Sequence, residues 1–176
     1  MPANPIITVF GATGHTGCFV VAELLARGLT PVLSGRDGAR LDAQRNAHPG
    51  LQIRQASIDD PASLDRALAG ASAVINCAGP FTKAGDGLVR AAVATGTHYV
   101  DSTGEQPFIR AIFESLAGAN VLTVGESEGF AKQGGVIGFV MEKDQVRFEI
   151  NTGAARQAGL KIDLRLLKLA KRVFNS

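Results

Sequence analysis

Five short apolar runs, each followed by an amphipathic stretch, make up the first two thirds of the chain. The runs are rich in β-branched residues, as in strands buried on both faces of a sheet, and the predicted strands cover 6–11, 30–36, 51–57, 73–79 and 98–104. In the stretches between them apolar residues recur at helical spacing, and the predicted helices cover 15–28, 37–50, 61–70, 86–96 and 105–118. This alternation predicts a parallel sheet with right-handed crossovers and helices on both faces.

The pattern changes after residue 118. A sixth buried strand is predicted at 120–126, and 136–151 predicts an antiparallel hairpin with its turn at Glu142–Asp144. The segments 152–160 and 163–174 are predicted to form two short helices. Because no low-complexity linker intervenes, we expect a single α/β domain, a three-layer sandwich whose mostly parallel sheet is extended by the C-terminal hairpin.

The composition is typical of a globular protein and argues against several classes of partner. A chain of 176 residues with 45 % hydrophobic and 19 % charged residues is typical of one globular domain. No Trp, one Tyr and a net charge of +2 argue against a nucleic-acid partner. No apolar run approaches membrane-spanning length and no signal peptide is evident, so we expect a cytoplasmic monomer or homodimer that does not bind membranes. Cys18 and Cys77 lack metal-ligand spacing, so we predict no metal site and favour buried, reduced thiols over a disulfide.

The segment "FGATGHTG" carries the main candidate chemistry. It places Gly11, Gly14 and Gly17 between the first strand and the first helix. In a Rossmann-like fold, these glycines would allow the tight turn, the approach of a pyrophosphate to the backbone, and close helix–strand packing. The helix N-terminus would supply amides for the phosphates. The spacing GxxGxxG, in place of GxGxxG, is seen in NADP-linked reductases of the extended short-chain type.

Three further loops lie at the same predicted sheet edge. Arg36, after the second strand, favours NADP over NAD because a 2′-phosphate needs a cation, while Asp37 is either a ribose ligand or, as we favour, a helix N-cap. Ser57 and Ile58 would border the adenine, and Cys77–Pro80 would border the nicotinamide ribose. The predicted cofactor-binding residues are therefore Gly11, Ala12, Thr13, Gly14, His15, Thr16, Gly17, Ser34, Gly35, Arg36, Asp37, Ser57, Ile58, Cys77, Ala78, Gly79 and Pro80.

Few residues have the type and spacing expected of catalytic groups. Tyr99 has no lysine four residues later, which excludes the Tyr–Lys proton relay of short-chain reductases. His98 and Asp101 could form a proton shuttle at the end of the fifth strand, although a structural role is favoured. Glu105 and Glu126 are also predicted near that edge, without a substrate wall to orient their carboxylates. We predict no catalytic residue.

Residues 5–110 resemble the NADP-binding half of the saccharopine dehydrogenase-like family, including its trans-acting enoyl reductase branch. The motifs that carry the resemblance are "VFGATGHTG", "LSGRD", "NCAGPF" and "GTHYVDSTGE". The resemblance implies NADP contacts at Gly11–Gly17, Ser34–Asp37 and Cys77–Pro80. Ser57 departs from the pattern, since related enzymes often carry an acid near the adenine.

Residues 121–173 resemble the C-terminal half of YfiR-family proteins, which are periplasmic regulators of a membrane-bound diguanylate cyclase. The pieces "GGVIGFV", "VRFEIN", "AARQAGLKI" and "LLKLAK" carry this second resemblance. Together the two imply a Rossmann-type segment 1–112 and a YfiR-like segment 113–176, joined inside the helix "EQPFIRAIFESLAG".

We therefore expect a fused or engineered chain that keeps an NADP(H)-binding loop. Efficient catalysis is not expected, because YfiR-like sequence stands where the dehydrogenase-like family has its substrate domain. Two alternatives are a small NADP-dependent oxidoreductase of saccharopine dehydrogenase-like type and a YfiR-like regulatory binding module.

Overall fold

The computed structural model describes residues 5–116 and 118–175, with the backbone only for Lys83 and Ala84. The chain divides into two compact units, Met1–Phe108 and Ile109–Ser176, which are described separately below. Helix α5, Gln106–Ser115, crosses the boundary between them. None of the described helices is long and apolar enough to cross a membrane.

The first unit is built on a five-stranded parallel sheet with the order β3-β2-β1-β4-β5. Its strands are β1 Ile7–Phe10, β2 Val32–Gly35, β3 Gln52–Gln55, β4 Ala73–Asn76 and β5 His98–Asp101. The connecting helices are α1 His15–Ala26, α2 Gly38–Ala47, α3 Pro61–Leu68 and α4 Phe81–Thr95. The sequence predicted each of these elements, and the Rossmann-like α/β class is confirmed.

Apolar side chains on both faces of the sheet explain the layers. Successive residues of a strand point to opposite faces, so Val9 and Phe10 of β1 enter different cores. Val9 packs with Val21 of α1 and Leu41 of α2. Phe10 packs in the second core, with residues of α3 and α4. The central strand is therefore covered on both sides, as a parallel sheet requires.

Helix α4 begins at Phe81, five residues before the predicted start at residue 86. Gly85 and Gly87 suggested a loop there. In the structure, a Cβ at Gly85 would overlap the Phe108 ring, so this glycine allows the helix to pack closely on Phe108. The Glu105 carboxylate accepts hydrogen bonds from the Phe81 and Thr82 amides and caps the extended helix.

The second unit has its own four-stranded sheet, with the order β6-β7-β8-β9. The strands are β6 Val124–Gly125, β7 Ile137–Glu142, β8 Gln145–Asn151 and β9 Arg172–Phe174, and the helices are α6 Thr152–Gln157 and α7 Leu164–Leu169. The predicted hairpin is confirmed as β7 and β8. Lys143 and Asp144 turn between them with φ of 49° and 60°, as in a type I′ turn.

The expected single continuous sheet is wrong. The sixth strand pairs with β7, at Val124–Ile137 and Gly125–Gly138, and belongs to the second sheet. The predicted helix 163–174 is also wrong in its second half, because α7 ends at Leu169 and β9 pairs parallel with β8.

Part of the loop that follows β6 is buried in the second unit. The ring of Phe130, which is 8 % exposed, fills the space that the absent side chains of Gly125 and Gly135 leave. It meets the Phe113 ring edge to face at 5.1 Å. The buried Asn151 amide donates to the carbonyl of Ala131, at 2.8 Å. Phe130, Ala131 and Gly135 of the segment 127–135 are thus buried in this unit, whereas Glu128 and residues 132–134 are exposed.

Candidate functional site

The glycine loop lies between β1 and α1, and two of its glycines are required by close packing. Gly11 has φ of +78°, and a Cβ there would lie 2.9 Å from the Ala78 amide nitrogen. A Cβ at Gly17 would collide with the Gly11 carbonyl and lie 2.9 Å from the Ala12 Cα. The loop is also tied to β2, because the Gly11 and Ala12 amides both donate to the Ser34 carbonyl, at 2.8 and 3.1 Å.

The N-terminus of α1 is open to an anion. In any α-helix the first three amides, here those of His15 to Gly17, have no intrahelical partner. The N-cap residue, Gly14, supplies no side-chain hydrogen bond to them. Gly14 and Gly11 are themselves linked, amide to carbonyl, at 3.0 Å. Unpaired amides and the positive end of the helix dipole together favour a phosphate.

The next three helices of this sheet differ from α1, because a carboxylate occupies each of their N-termini. Asp37 accepts from the Arg40 amide of α2 at 3.1 Å, and Asp60 accepts from the Ser63 amide of α3 at 3.2 Å. Glu105 accepts from the Phe81 amide of α4 at 2.8 Å. Among α1 to α4, over the residues that the structure describes, α1 is the helix whose N-terminus lacks a carboxylate cap.

Strand β2 ends beside the glycine loop. Ser34 is buried and its hydroxyl donates to the Arg54 carbonyl at 2.7 Å, while Gly35 is also buried. Arg36 and Asp37 are exposed, and Asp37 caps α2 as expected. Among the described side chains, no carboxylate forms an ion pair with Arg36.

The loop after β3 is held mostly by its own contacts. The Ser57 amide donates to the Ser63 hydroxyl at 3.0 Å, and the Ser57 hydroxyl accepts from the Asp59 amide at 3.3 Å. Ile58 is half-buried against the core between the sheet and α3 and α4. Both residues lie after the carboxyl end of β3, as predicted.

Buried Asn76 organises the loop after β4. Its side-chain oxygen accepts from the Ala78 amide at 3.0 Å, and its amide group donates to the Tyr99 hydroxyl at 2.9 Å. The Cys77 amide donates to the Phe10 carbonyl at 2.8 Å, which joins this loop to β1. Gly79 and Pro80 are exposed at its end. The predicted residues 77–80 therefore follow the strand adjacent to β1, where the order of strands reverses.

The two weak acids beside this loop remain protonated at neutral pH. Burial raises the pKa of the Cys77 thiol to about 11. Burial and then the Asp101 carboxylate raise the pKa of Tyr99 far above its ordinary value. Neither group is suited to transfer a proton near pH 7. Cys18, predicted to be buried, is exposed, and neither cysteine forms a disulfide.

The strand register argues against the His98–Asp101 proton shuttle, which the sequence allowed but did not favour. His98 begins β5 and lies in register with Ala73, whereas Asp101 ends the strand in register with Asn76. Three steps along an extended strand place the two Cα atoms about 10 Å apart. His98 thus lies toward the amino ends of the strands, opposite the loops that carry the other candidate residues.

The Glu105 carboxylate already accepts hydrogen bonds from the start of α4. Hydrogen bonds from the Thr82 hydroxyl, then from the Thr82 and Phe81 amides, hold its pKa below the ordinary value. Glu126 follows β6 in the second unit and is exposed. Over the described residues, no three His, Cys, Asp or Glu side chains come together as a metal site.

Four residues that contact or support the loops were missing from the predicted site: Arg40, Gln44, Asn76 and Glu105. Arg40 donates to the Thr13 carbonyl at 2.7 Å, and Gln44 to the Ala12 carbonyl at 3.1 Å. Their spacing of four along α2 was a usable signal, because it places both on one helix face. No local pattern links Glu105 to a helix that begins 24 residues earlier.

A parallel sheet of order 3-2-1-4-5, with a glycine loop after β1 and an open α1 N-terminus, defines a Rossmann-type dinucleotide-binding protein. The sequence model of the NAD(P)H-binding family matches residues 11–124, about two thirds of the chain. The chain belongs to this family.

A second family model, described as YfiR/HmsC-like, matches residues 89–171. Both expected resemblances are therefore confirmed. The second match starts well before residue 113, so that the two models overlap over 89–124.

Two mammalian relatives of this chain are named as oxidoreductases. The saccharopine dehydrogenase-like oxidoreductase of Bos taurus is 30 % identical over 143 residues, which are 69 % of this chain and 33 % of that protein. The Mus musculus protein of the same name is 29 % identical over 80 % of this chain and 38 % of its own length. This chain thus spans about a third of each relative's length.

The structure of saccharopine dehydrogenase from Saccharomyces cerevisiae matches with a TM-score of 0.58 and 22 % identity. The matched region covers 68 % of this chain and 26 % of the yeast protein, and the match supports a shared fold.

Proposed function

We propose that the first unit binds NADP(H), with the pyrophosphate on the amides at the N-terminus of α1. The observation that carries this proposal is the open helix terminus after the glycine loop, since carboxylates cap α2, α3 and α4. Membership of the NAD(P)H-binding family supports the same ligand. The loops at 34–37, 57–58 and 77–80 would surround the rest of the dinucleotide.

Arg36 is proposed to select NADP(H) over NAD(H). Its side chain is exposed at the end of β2, and the carboxylate of its neighbour Asp37 caps α2. An acid at this strand end would hold the ribose 2′-hydroxyl, whereas an arginine suits a 2′-phosphate.

These 176 residues are proposed to catalyse no efficient hydride transfer by themselves. Hydride transfer requires a substrate held close to the nicotinamide. The groups beside the β4 loop do not favour proton transfer, because Tyr99 and Cys77 are too weakly acidic and Glu105 caps α4. The two family matches support a fused origin, and the proposed join inside α5 lies within their overlap over 89–124.

Two other functions rest on specific observations. The oxidoreductase names of the relatives favour a small NADP-dependent reductase, in which Asp101, at the carboxyl end of β5, is the acid to test. The match over 89–171 favours a YfiR-like regulatory module that acts through a partner protein.

We propose a cytoplasmic location, with which two unpaired cysteines agree.

Nucleotide titration tests the proposal. NADPH should raise the unfolding temperature of the wild-type chain and bind more tightly than NADH. Arg36→Glu should weaken NADPH at least tenfold and leave NADH nearly unchanged, since only NADPH carries the 2′-phosphate. Arg156→Glu is the matched control, because it makes the same charge change at an exposed position of the second unit.

No stabilisation by either nucleotide at millimolar concentration would refute cofactor binding. Equal losses of NADPH and NADH affinity in Arg36→Glu would refute the assignment of Arg36. Turnover of a carbonyl or enoyl substrate that Asp101→Asn abolishes would instead favour the reductase.

A further inference from the structure

Two consecutive carbonyls of the glycine loop are held by side chains from successive turns of α2. The Arg40 guanidinium donates to the Thr13 carbonyl at 2.7 Å, and the Gln44 amide donates to the Ala12 carbonyl at 3.1 Å. Arg40 and Gln44 are four residues apart on one helix, so both face the loop. Helix α2 is itself fixed at its start by the Asp37 cap.

The orientation of the Gln44 side chain follows from its partner. A carbonyl accepts hydrogen bonds and cannot donate one, so the Gln44 nitrogen must face Ala12. The Gln44 oxygen is then buried without a hydrogen-bond partner among the described residues.

Because peptide groups are planar, these two contacts also fix the directions of the Thr13 and Gly14 amides. In a trans peptide the carbonyl and the following N–H point in opposite directions. With the Ala12 carbonyl turned toward α2, the Thr13 amide points away from α2 and has no partner among the described residues. With the Thr13 carbonyl turned toward Arg40, the Gly14 amide points away and donates to the Gly11 carbonyl.

We propose that Arg40 and Gln44 are positioning residues that hold the glycine loop in its phosphate-binding form before the cofactor arrives. They act through the Thr13 and Ala12 carbonyls and keep the Thr13 amide available beside those of α1. This inference rests on the proposed function, and it assigns Arg40 a role different from that of Arg36. Loss of a positioning residue weakens NADPH and NADH alike, because both nucleotides carry the same pyrophosphate.

The first experiment uses the cofactor-free full chain and does not depend on nucleotide binding. Arg40→Ala and Gln44→Ala should each speed hydrogen exchange at the Gly14 and Cys18 amides, whose acceptors are the Gly11 and Gly14 carbonyls. Arg40→Lys should restore part of the protection, since lysine can still donate to Thr13. Arg45→Ala is the control, because Arg45 lies on the same helix and pairs with Asp42 in solvent.

The second experiment measures both nucleotides with the same variants. Arg40→Ala should weaken NADPH and NADH by about tenfold each, close to the effect of one charged hydrogen bond, and leave their ratio unchanged. Selective loss of NADPH would overturn the proposal and make Arg40 a 2′-phosphate contact. Unchanged exchange and unchanged affinities would also overturn it. If Arg40→Ala and Gln44→Ala speed exchange in the loop but the wild-type chain binds neither nucleotide, the positioning role is supported and the proposed function is refuted.

Discussion

Individual glycines of the loop have different physical roles. Gly17 has no room for a Cβ beside the Gly11 carbonyl and the Ala12 backbone. A Cβ at Gly14 would meet only the Gly11 carbonyl, at 3.2 Å, and would otherwise project into open space. Packing thus requires glycine at position 17, whereas we propose that glycine at position 14 allows a phosphate to approach the backbone.

Alanine at the two positions separates folding from binding. Gly17→Ala should lower the free energy of unfolding by about 1–3 kcal/mol, because the methyl overpacks the turn. Gly14→Ala should lower it by less than about 1 kcal/mol, since alanine is a poorer N-cap than glycine, and still weaken NADPH at least tenfold. Denaturant unfolding and nucleotide titration measure the two effects. A destabilised Gly14→Ala with normal NADPH affinity would reverse the assigned roles.

Glu105 shows a stabilising contact between distant parts of the first unit. Its folded-state pKa lies below the ordinary value of 4.5, because the Thr82 hydroxyl and the Thr82 and Phe81 amides bind the charged carboxylate. Between the two values the unfolded chain binds more protons. The contact therefore stabilises the fold above about pH 4.5, and this contribution is lost as the pH falls through the lowered folded-state pKa.

Glu105→Gln should consequently lower the unfolding temperature at pH 6–7, with a difference from wild type that shrinks below about pH 4. Thermal unfolding across this range measures the change. Glu114→Gln removes an exposed carboxylate from the same helix, α5, and serves as the control. A difference that stays constant from pH 7 to pH 3 would contradict the capping role.

At the scale of elements, the sequence predicted what depends on local pattern. The β-branched runs and the helical spacing identified the five strands and four helices of the first sheet. The start of α4 was missed because Gly85 reads as a helix breaker, while its actual role depends on the distant Phe108 ring. The partner of β6 was missed because an apolar run does not reveal which strand it joins.

The C-terminal segment is the clearest case of a misleading pattern. Leu166, Leu169 and Val173 fit helical spacing, yet the helix ends at Leu169. The Lys171 amide donates to the Phe148 carbonyl at 2.8 Å and starts the pairing of β9 with β8. Strand pairing with a residue far along the chain outweighs weak local helix propensity.

Two substitutions of Lys171 test this strand. Lys171→Pro removes the amide donor to Phe148 and should lower the free energy of unfolding by about 1–3 kcal/mol. Lys171→Ala keeps the amide and removes the exposed ion pair with Glu142, at 2.9 Å, so that its effect should stay below about 1 kcal/mol. Denaturant unfolding followed by circular dichroism compares them. Equal effects would argue against β9.

At the scale of the whole molecule, the sequence indicated resemblances to two families, and a family model matches the chain for each of them. It did not predict two sheets, because the change of pattern after residue 118 carries no linker to mark it. The division falls between Phe108 and Ile109, inside a continuous amphipathic helix. The predicted cofactor-binding residues all fall in the first unit, whereas most of the YfiR/HmsC-like match lies in the second.

Hydrogen exchange of the full chain with and without NADPH tests the central claim most directly, namely that the first unit binds NADP(H) at the N-terminus of α1. The account predicts slower exchange at Thr13 to Gly17, with smaller protection at residues 34–37 and 77–80. It predicts no change in residues 120–175. Absence of protection in the glycine loop at saturating NADPH, or protection confined to the second unit, would contradict it.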